Sequence, residues 1–297
     1  MRRASSGKPL ALTPRDLLIF QALRRYRYLR STYLHAFAGG LSEKRFKERL
    51  GDLFHEGYLD RPAAQWRFAD SRNAPAVYEL AKAGLCVLAE RDTIRDEARI
   101  VLSAKASKQF LHTLMICEVL ASIELAISQR TGLRFIPWLE ILAKAPGVTR
   151  SNPTPQRFPA GPCGHIVPDA VFGIGYKGAT RDTYRFFALE ADRGTMPIER
   201  MTTDQSSYEK KILAYRVAAS QQNLRAHLGV PNLLVLTVTT SAERGARILS
   251  TVKSVGGSDG AIFLVKSIGE DGKKPMFELA TMPWSRAGYD AITIAEG

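Results

Sequence analysis

Three carboxylates and two lysines in the second half of the chain have the types and spacing for phosphate chemistry. Pro168-Asp169 precedes an apolar run, Glu190-Ala191-Asp192 closes another, and Lys210-Lys211 open a helical segment. Carboxylate oxygens are the ligands a hard divalent cation such as Mg²⁺ takes. A cation held between strand-borne acids polarises a scissile phosphate and activates the attacking group. Asp169 and Glu190 are the expected metal ligands. Asp192 lies two residues beyond Glu190, so in an extended strand both point to one face. Lys211, or its neighbour Lys210, neutralises charge on the phosphate in the transition state. The expected catalytic set is therefore Asp169, Glu190, Asp192 and Lys211. Ordinary strand-end acids and a solvated helix are the competing explanation. The combination favours a site, because both acidic motifs are joined to apolar β runs and followed by a lysine-bearing helix.

Other chemistry-bearing residues carry weaker signals. Tyr208 and Tyr215 flank Lys211 at helical spacing; packing is the expectation for both, a tyrosine nucleophile the alternative. His112 sits beside Phe110 and Leu111 and reads as a hydrogen-bonded helix histidine. Glu118 and Glu140 could join the metal site, although solvated acids are commoner. Cys163 and His165 are two ligands without companions. Arg193-Gly194-Thr195 reads equally as a tight turn and as a phosphate contact. Gly173-x-Gly175 lies in a strand with no helix after it, which excludes a dinucleotide loop.

The elements that must position these residues follow from periodicity. Ser103 to Gln129 has the apolar spacing of one long helix. Leu133 to Ile136, Ile166 to Tyr176 and Tyr184 to Ala191 read as strands. Five prolines between Ala145 and Gly164 make that stretch a long loop. Ser206 to Gln221 is a helix, and Leu233 to Thr239 a strand apolar enough to be buried. Ala242 to Val255 is a helix and Ala261 to Ser267 the last strand expected. This order gives an α/β domain with one mixed central sheet over residues 100–297.

Residues 1–99 read differently. Thr13-Pro14-Arg15-Asp16 is a helix start with a Thr cap, Pro at the first position and an acid in the first turn. Ser31 to Phe37 is a short second helix. Ser42 opens a third, with Phe46, Leu50, Leu53 and Phe54 on one face. Tyr58 to Arg61 and Val77 to Leu80 are strands of a hairpin, Ala81 to Glu90 closes the segment, and Asp92 to Arg99 is a charged link. These are the parts of a winged helix-turn-helix. The expected DNA contacts are Lys44, Arg45, Lys47 and Arg49 on the third helix, with Arg67 and Arg72 on the wing.

Charge agrees with that assignment. The chain carries a net charge of +13, and residues 1–61 hold 13 Lys and Arg against 6 Asp and Glu. Neutralising phosphates releases counterions, so double-stranded DNA is the expected partner. No run of 18 apolar residues occurs, so no membrane is expected. The basic start of the chain has no apolar signal core behind it. The three scattered cysteines support neither a disulfide framework nor a zinc ribbon, and a cytoplasmic protein is expected.

One resemblance spans roughly residues 12 to 240. Thr13-Pro14-Arg15-Asp16, Glu56-Gly57-Tyr58-Leu59, Tyr78-Glu79-Leu80-Ala81-Lys82-Ala83-Gly84, His112, Pro168-Asp169-Ala170 and Glu190-Ala191-Asp192-Arg193-Gly194-Thr195, followed by Lys211 and Tyr215, resemble the replication-relaxation family. That likeness implies a winged-helix protein of plasmids or mobile elements, tied to plasmid replication and DNA relaxation. The rear domain also resembles the restriction-endonuclease-like superfamily, whose pattern is Pro-Asp and then Asp/Glu-x-Lys. By that resemblance Asp169 and Glu190 are metal ligands. The lysine position of the pattern is Asp192 here. A lysine supplied from the neighbouring helix nominates Lys211 or Lys210; a catalytically dead core kept as a scaffold is the alternative. The expected function is a DNA-binding protein of plasmid or mobile-element replication and relaxation, with Mg²⁺-dependent nicking of DNA. The alternatives are a non-enzymatic regulator of replication or transcription, whose rear domain forms a homodimer or binds a partner, and a ligand-sensing regulator.

Overall fold

The computed structural model describes residues 10–40, 42–67, 73–91, 110–194, 208–269 and 272–296. The chain is a mixed α+β protein that divides into two compact units. The first takes described residues up to 91 together with 110–125 and 272–276; the second takes 126–269 and 277–296.

In the first unit, α1 (Pro14–Tyr26) begins in a capping box. The Thr13 side chain accepts from the Asp16 N–H, and the Asp16 carboxylate accepts from the Thr13 N–H at 2.7 Å, satisfying donors the helix leaves open. β1 (Leu29–Arg30), α2 (Ser31–Ala38) and α3 (Glu43–His55) follow. Phe46, Leu50, Leu53 and Phe54 are the buried face of α3, as their spacing predicts. Gly57, at φ +83°, ends it. The Tyr58 N–H reaches the Leu53 carbonyl at 2.9 Å and the Gly57 N–H the Phe54 carbonyl at 3.2 Å, a reversal that requires the left-handed conformation glycine tolerates.

β2 (Leu59–Asp60), a 3₁₀ turn (Ala63–Arg67), β3 (Val77–Leu80) and α4 (Lys82–Glu90) complete the unit's N-terminal part. The sheet order is β1-β3-β2, antiparallel throughout. β1 was not expected: two residues are too short to show alternation. Gln65 is buried and fixes the turn. Its amide donates to the Pro62 and Val77 carbonyls at 3.1 Å and accepts from the Val77 N–H at 3.0 Å.

α5 (Phe110–Ser128) is the described part of the long helix expected from Ser103 to Gln129. The Asp92 to Arg99 link lies outside the described residues. By length and composition α5 is apolar enough to cross a membrane, but most of it is buried inside the protein. The helix is apolar all round because it is a core helix.

The second unit continues with β4 (Leu133–Ile136), α6 (Trp138–Lys144), α7 (Gly147–Arg150), β5 (Phe158–Pro159), β6 (His165–Ile166), β7 (Ala170–Tyr176) and β8 (Thr183–Asp192). After these come α8 (Tyr208–Ala218), α9 (Gln221–His227), β9 (Leu234–Thr239), α10 (Ala242–Val255), β10 (Phe263–Ser267), α11 (Glu278–Thr281), β11 (Trp284–Arg286) and β12 (Tyr289–Ile292). The proline-rich stretch is thus not one loop: it holds α7, a 3₁₀ turn at Gly161–Cys163 and β5, which pairs with β6 just beyond the stretch. The last strand is β12 rather than the one ending at Ser267. β11 and β12 are short, and β12 is mostly exposed, so neither leaves an apolar signature.

Seven strands form one sheet in the order β12-β11-β10-β9-β8-β7-β4. β8, β9 and β10 are parallel neighbours, and the other pairings are antiparallel. One face packs Val171, Ala188, Val235, Phe263 and Val265 with Tyr208, Ile212 and Tyr215 of α8 and Ile248 and Val252 of α10. The opposite face stacks Phe135, Phe172 and Phe187 with ring centroids 5.4 and 5.0 Å apart. Burial on both faces is why β7 and β9 read as nearly continuous apolar runs.

Candidate active site

β7 and β8 pair with Ala170 opposite Leu189. One step further sets Asp169 opposite Glu190, and the Asp169 N–H continues the ladder to the Leu189 carbonyl at 3.0 Å. Asp169 therefore stands just before β7, not as its first residue. Its Oδ2 accepts from the Ala191 N–H at 2.9 Å. Directly opposed residues of an antiparallel pair share a face, so the two buried acids lie together. On β9 the residue opposite Glu190 is Thr237, and opposite Asp192 is Thr239.

α8 lies over this face. Tyr208, Ile212 and Tyr215 recur at the spacing of one helix side, and Lys211 falls beside them. Lys211 Nζ donates to Glu190 Oε2, and the Tyr215 hydroxyl donates to Glu190 Oε1. The Tyr208 hydroxyl pairs with Thr237 Oγ1. Burial pushes the Glu190 carboxyl above the usual carboxylate range; Lys211 opposes that, and the Asp169 charge adds to it. Burial works against the Lys211 charge, yet Glu190 and Asp169 outweigh it and hold the ammonium above the ordinary lysine value. Tyr208 and Tyr215 are both raised, chiefly by burial.

Asp192 shares the strand but not the cluster's bonds. Its Oδ2 accepts from Arg244 Nε at 2.5 Å, and its Oδ1 from the Gly194 N–H at 2.8 Å. Arg244 belongs to the first turn of α10, whose cap is Ser241. Arg244 and Thr237 are not among the residues expected from the sequence. The signal for Thr237 was present: Thr237 and Thr239 alternate with Val238 in an otherwise apolar strand, which places both on one face. Arg244 had no such mark, since its role follows from where α10 begins.

Two buried carboxylates on one face provide the oxygen donors a hard divalent cation takes, with water or phosphate filling the remaining positions. Among the described residues no group of three or more His, Cys, Asp or Glu could hold a metal. Asp169 and Glu190 offer two carboxylates to such an ion, and among the described residues no third acid completes a set with them. The other acids lie elsewhere. Glu118 is in the first unit on Arg30, with Arg30 Nη1 2.7 Å from each oxygen. Glu140 pairs with Arg134 and Lys144. Cys163 is exposed, and His165 meets Arg157. His112 is half-buried on α5.

On the basic helix, Lys44, Arg45 and Lys47 are exposed, and Lys47 Nζ lies 2.7 Å from Glu43. Arg49 is turned inward: its Nε and Nη2 donate to the two oxygens of Asp16 at 3.0 and 2.6 Å. Asp16 is 1% exposed. Burial raises its carboxyl, but the bonds from Arg49 and Thr13 outweigh that and hold it below its usual value. Arg67 is exposed at the end of the turn that Gln65 anchors. Arg72 lies outside the described residues.

A family model described as replication-relaxation matches residues 20–231, a span that reaches from α1 to the approach to β9 and includes Asp169, Glu190, Asp192 and Lys211. No curated protein and no solved structure matches the chain.

Proposed function

The chain belongs to the replication-relaxation family, and from that premise we propose that it is a cytoplasmic DNA-binding protein of plasmid or mobile-element replication and relaxation. In this reading the first unit is a winged helix-turn-helix. α3 enters the major groove, Lys44, Arg45 and Lys47 meet phosphates or base edges, and Arg67 serves the wing. The net charge of +13 and the exposure of these side chains support it.

The second unit, in the same reading, is restriction-endonuclease-like and nicks DNA. The observation that carries this is the juxtaposition of buried Asp169 and Glu190 with Lys211 on one sheet face. Asp169 and Glu190 would hold Mg²⁺. Such an ion supplies Lewis acidity at a phosphate oxygen and lowers the pKa of an attacking water or hydroxyl. Tyr215 orients Glu190 through its hydroxyl. Lys211 brings positive charge to a phosphate at the cluster. Asp192 fixes the Arg244 guanidinium at the start of α10.

One observation favours a second reading, a non-enzymatic regulator whose second unit serves dimerisation or partner binding. Both Glu190 oxygens already have protein donors. The deciding experiment incubates supercoiled plasmid carrying candidate native DNA with the protein and Mg²⁺ or Mn²⁺, beside Glu190→Ala. Nicked circles from the wild type alone support the nickase. Intact plasmid from both proteins, with DNA bound and shifted on a gel, supports the regulator.

A further inference from the structure

We infer that Lys211 is a resident cation that competes with the divalent metal for Glu190, so that the site is closed until Lys211 is drawn away; the inference rests on the metal-site reading above. Glu190 has two covers. Tyr215, bonded to Oε1, is core, with 1% of its surface exposed. Lys211, bonded to Oε2, keeps 26% of its side chain exposed, while that of Glu190 keeps 3%. Of the two side chains bonded to Glu190, Lys211 is thus the one that keeps exposed surface. Asp169, on the same face, is tied to the Ala191 N–H through Oδ2. A single ammonium is bonded to Glu190 and also feels the charge of Asp169, and a divalent ion at the same carboxylates would face it at close range. Like charges that share one site exclude each other.

A phosphodiester offers Lys211 a second anion. A long, flexible lysine stem can swing from carboxylate to phosphate without moving the helix that carries it. On this account DNA opens the metal site, and metal alone does not fill it well. The device suits a nuclease-like core that must stay silent away from its DNA.

The test measures Mn²⁺ binding to the full chain without DNA, by the electron-paramagnetic signal of free Mn²⁺, for wild type, Lys211→Met, Lys211→Arg and Lys211→Met/Glu190→Gln. The expected result is one ion bound about tenfold tighter or more by Lys211→Met than by wild type. Lys211→Arg keeps the weak affinity, and the added Glu190→Gln removes the gain. Equal binding by wild type and Lys211→Met overturns the competition but leaves the metal site standing. No binding by either removes the metal site and the competition together. Should Lys211→Met fail to fold, the wild type suffices: saturating Mn²⁺ raises the acylation rate of Lys211, read by mass spectrometry. An unchanged rate with Mn²⁺ bound overturns the inference equally.

Discussion

Arg244 Nε lies 2.5 Å from Asp192 Oδ2, so the carboxylate two residues beyond Glu190 on β8 belongs to α10 and not to the Glu190–Lys211 pair. The side chains keep only 14% and 9% of their surface exposed. A pair buried to this extent returns little net stability, but losing one partner strands the other charge. Arg244→Met, which leaves buried Asp192 without its guanidinium, is expected to cost about 3 kcal/mol in urea unfolding. Asp192→Ala/Arg244→Met should recover a large part of it. A double variant no more stable than the single one would mean that Asp192 acts through some other partner.

Under the proposed function the basic residues of α3 divide between DNA contact and folding. Lys44→Ala/Arg45→Ala should weaken DNA binding and reduce the salt slope of log K by about two, one for each lost phosphate contact. Arg49→Ala should act on folding instead. It leaves buried Asp16 without its guanidinium and is expected to cost about 2 kcal/mol. Fluorescence anisotropy across a salt series, with a denaturant titration of each variant, tells the two apart. An Arg49→Ala protein of unchanged stability would return Arg49 to the DNA face.

That division shows what sequence could and could not reveal. The third helix was legible because Phe46, Leu50, Leu53 and Phe54 mark its buried side. Arg49 was not, because four cations off that side look alike in one dimension; only the Asp16 cap on α1 singles it out. The same holds in the second unit. Apolar runs disclosed β7, β8 and β9, and Glu190 and Lys211 were nominated together. The allegiance of Asp192 depended on the position of α10, a tertiary fact with no local trace. β1, β11 and β12 escaped because they are too short for a period of two to register.

Acid–base behaviour gives a further check in the first unit. Burial raises the Glu118 carboxyl from its ordinary 4.5 to about 8, although Arg30 opposes the shift. The folded state then binds more protons than the unfolded chain between those values. The Glu118 contribution to stability is accordingly fully present below 4.5 and declines as pH rises toward about 8. Glu118→Gln should flatten that decline. Melting temperatures of both proteins between pH 5 and pH 8 test it, and parallel curves would show that Glu118 is ionised throughout.

Tyr215 offers the sharpest test of roles within the cluster. Its hydroxyl is buried against Glu190 Oε1, and burial together with Glu190 holds it well above the ordinary tyrosine range. A hydroxyl so disfavoured as an oxyanion is a poor nucleophile and a good fixed donor. Tyr215→Phe keeps the ring that packs edge-on to Phe263, with centroids 6.4 Å apart, and removes only the donor. The expected cost is about 1 kcal/mol of stability for the acceptor left unpaired. Where wild type nicks, Tyr215→Phe should nick more slowly but measurably, and with no covalent protein–DNA adduct in either case. A denaturing gel of the reaction with labelled DNA reads both. An adduct formed by wild type and lost in Tyr215→Phe would make Tyr215 the nucleophile and overturn its role as the residue that orients Glu190.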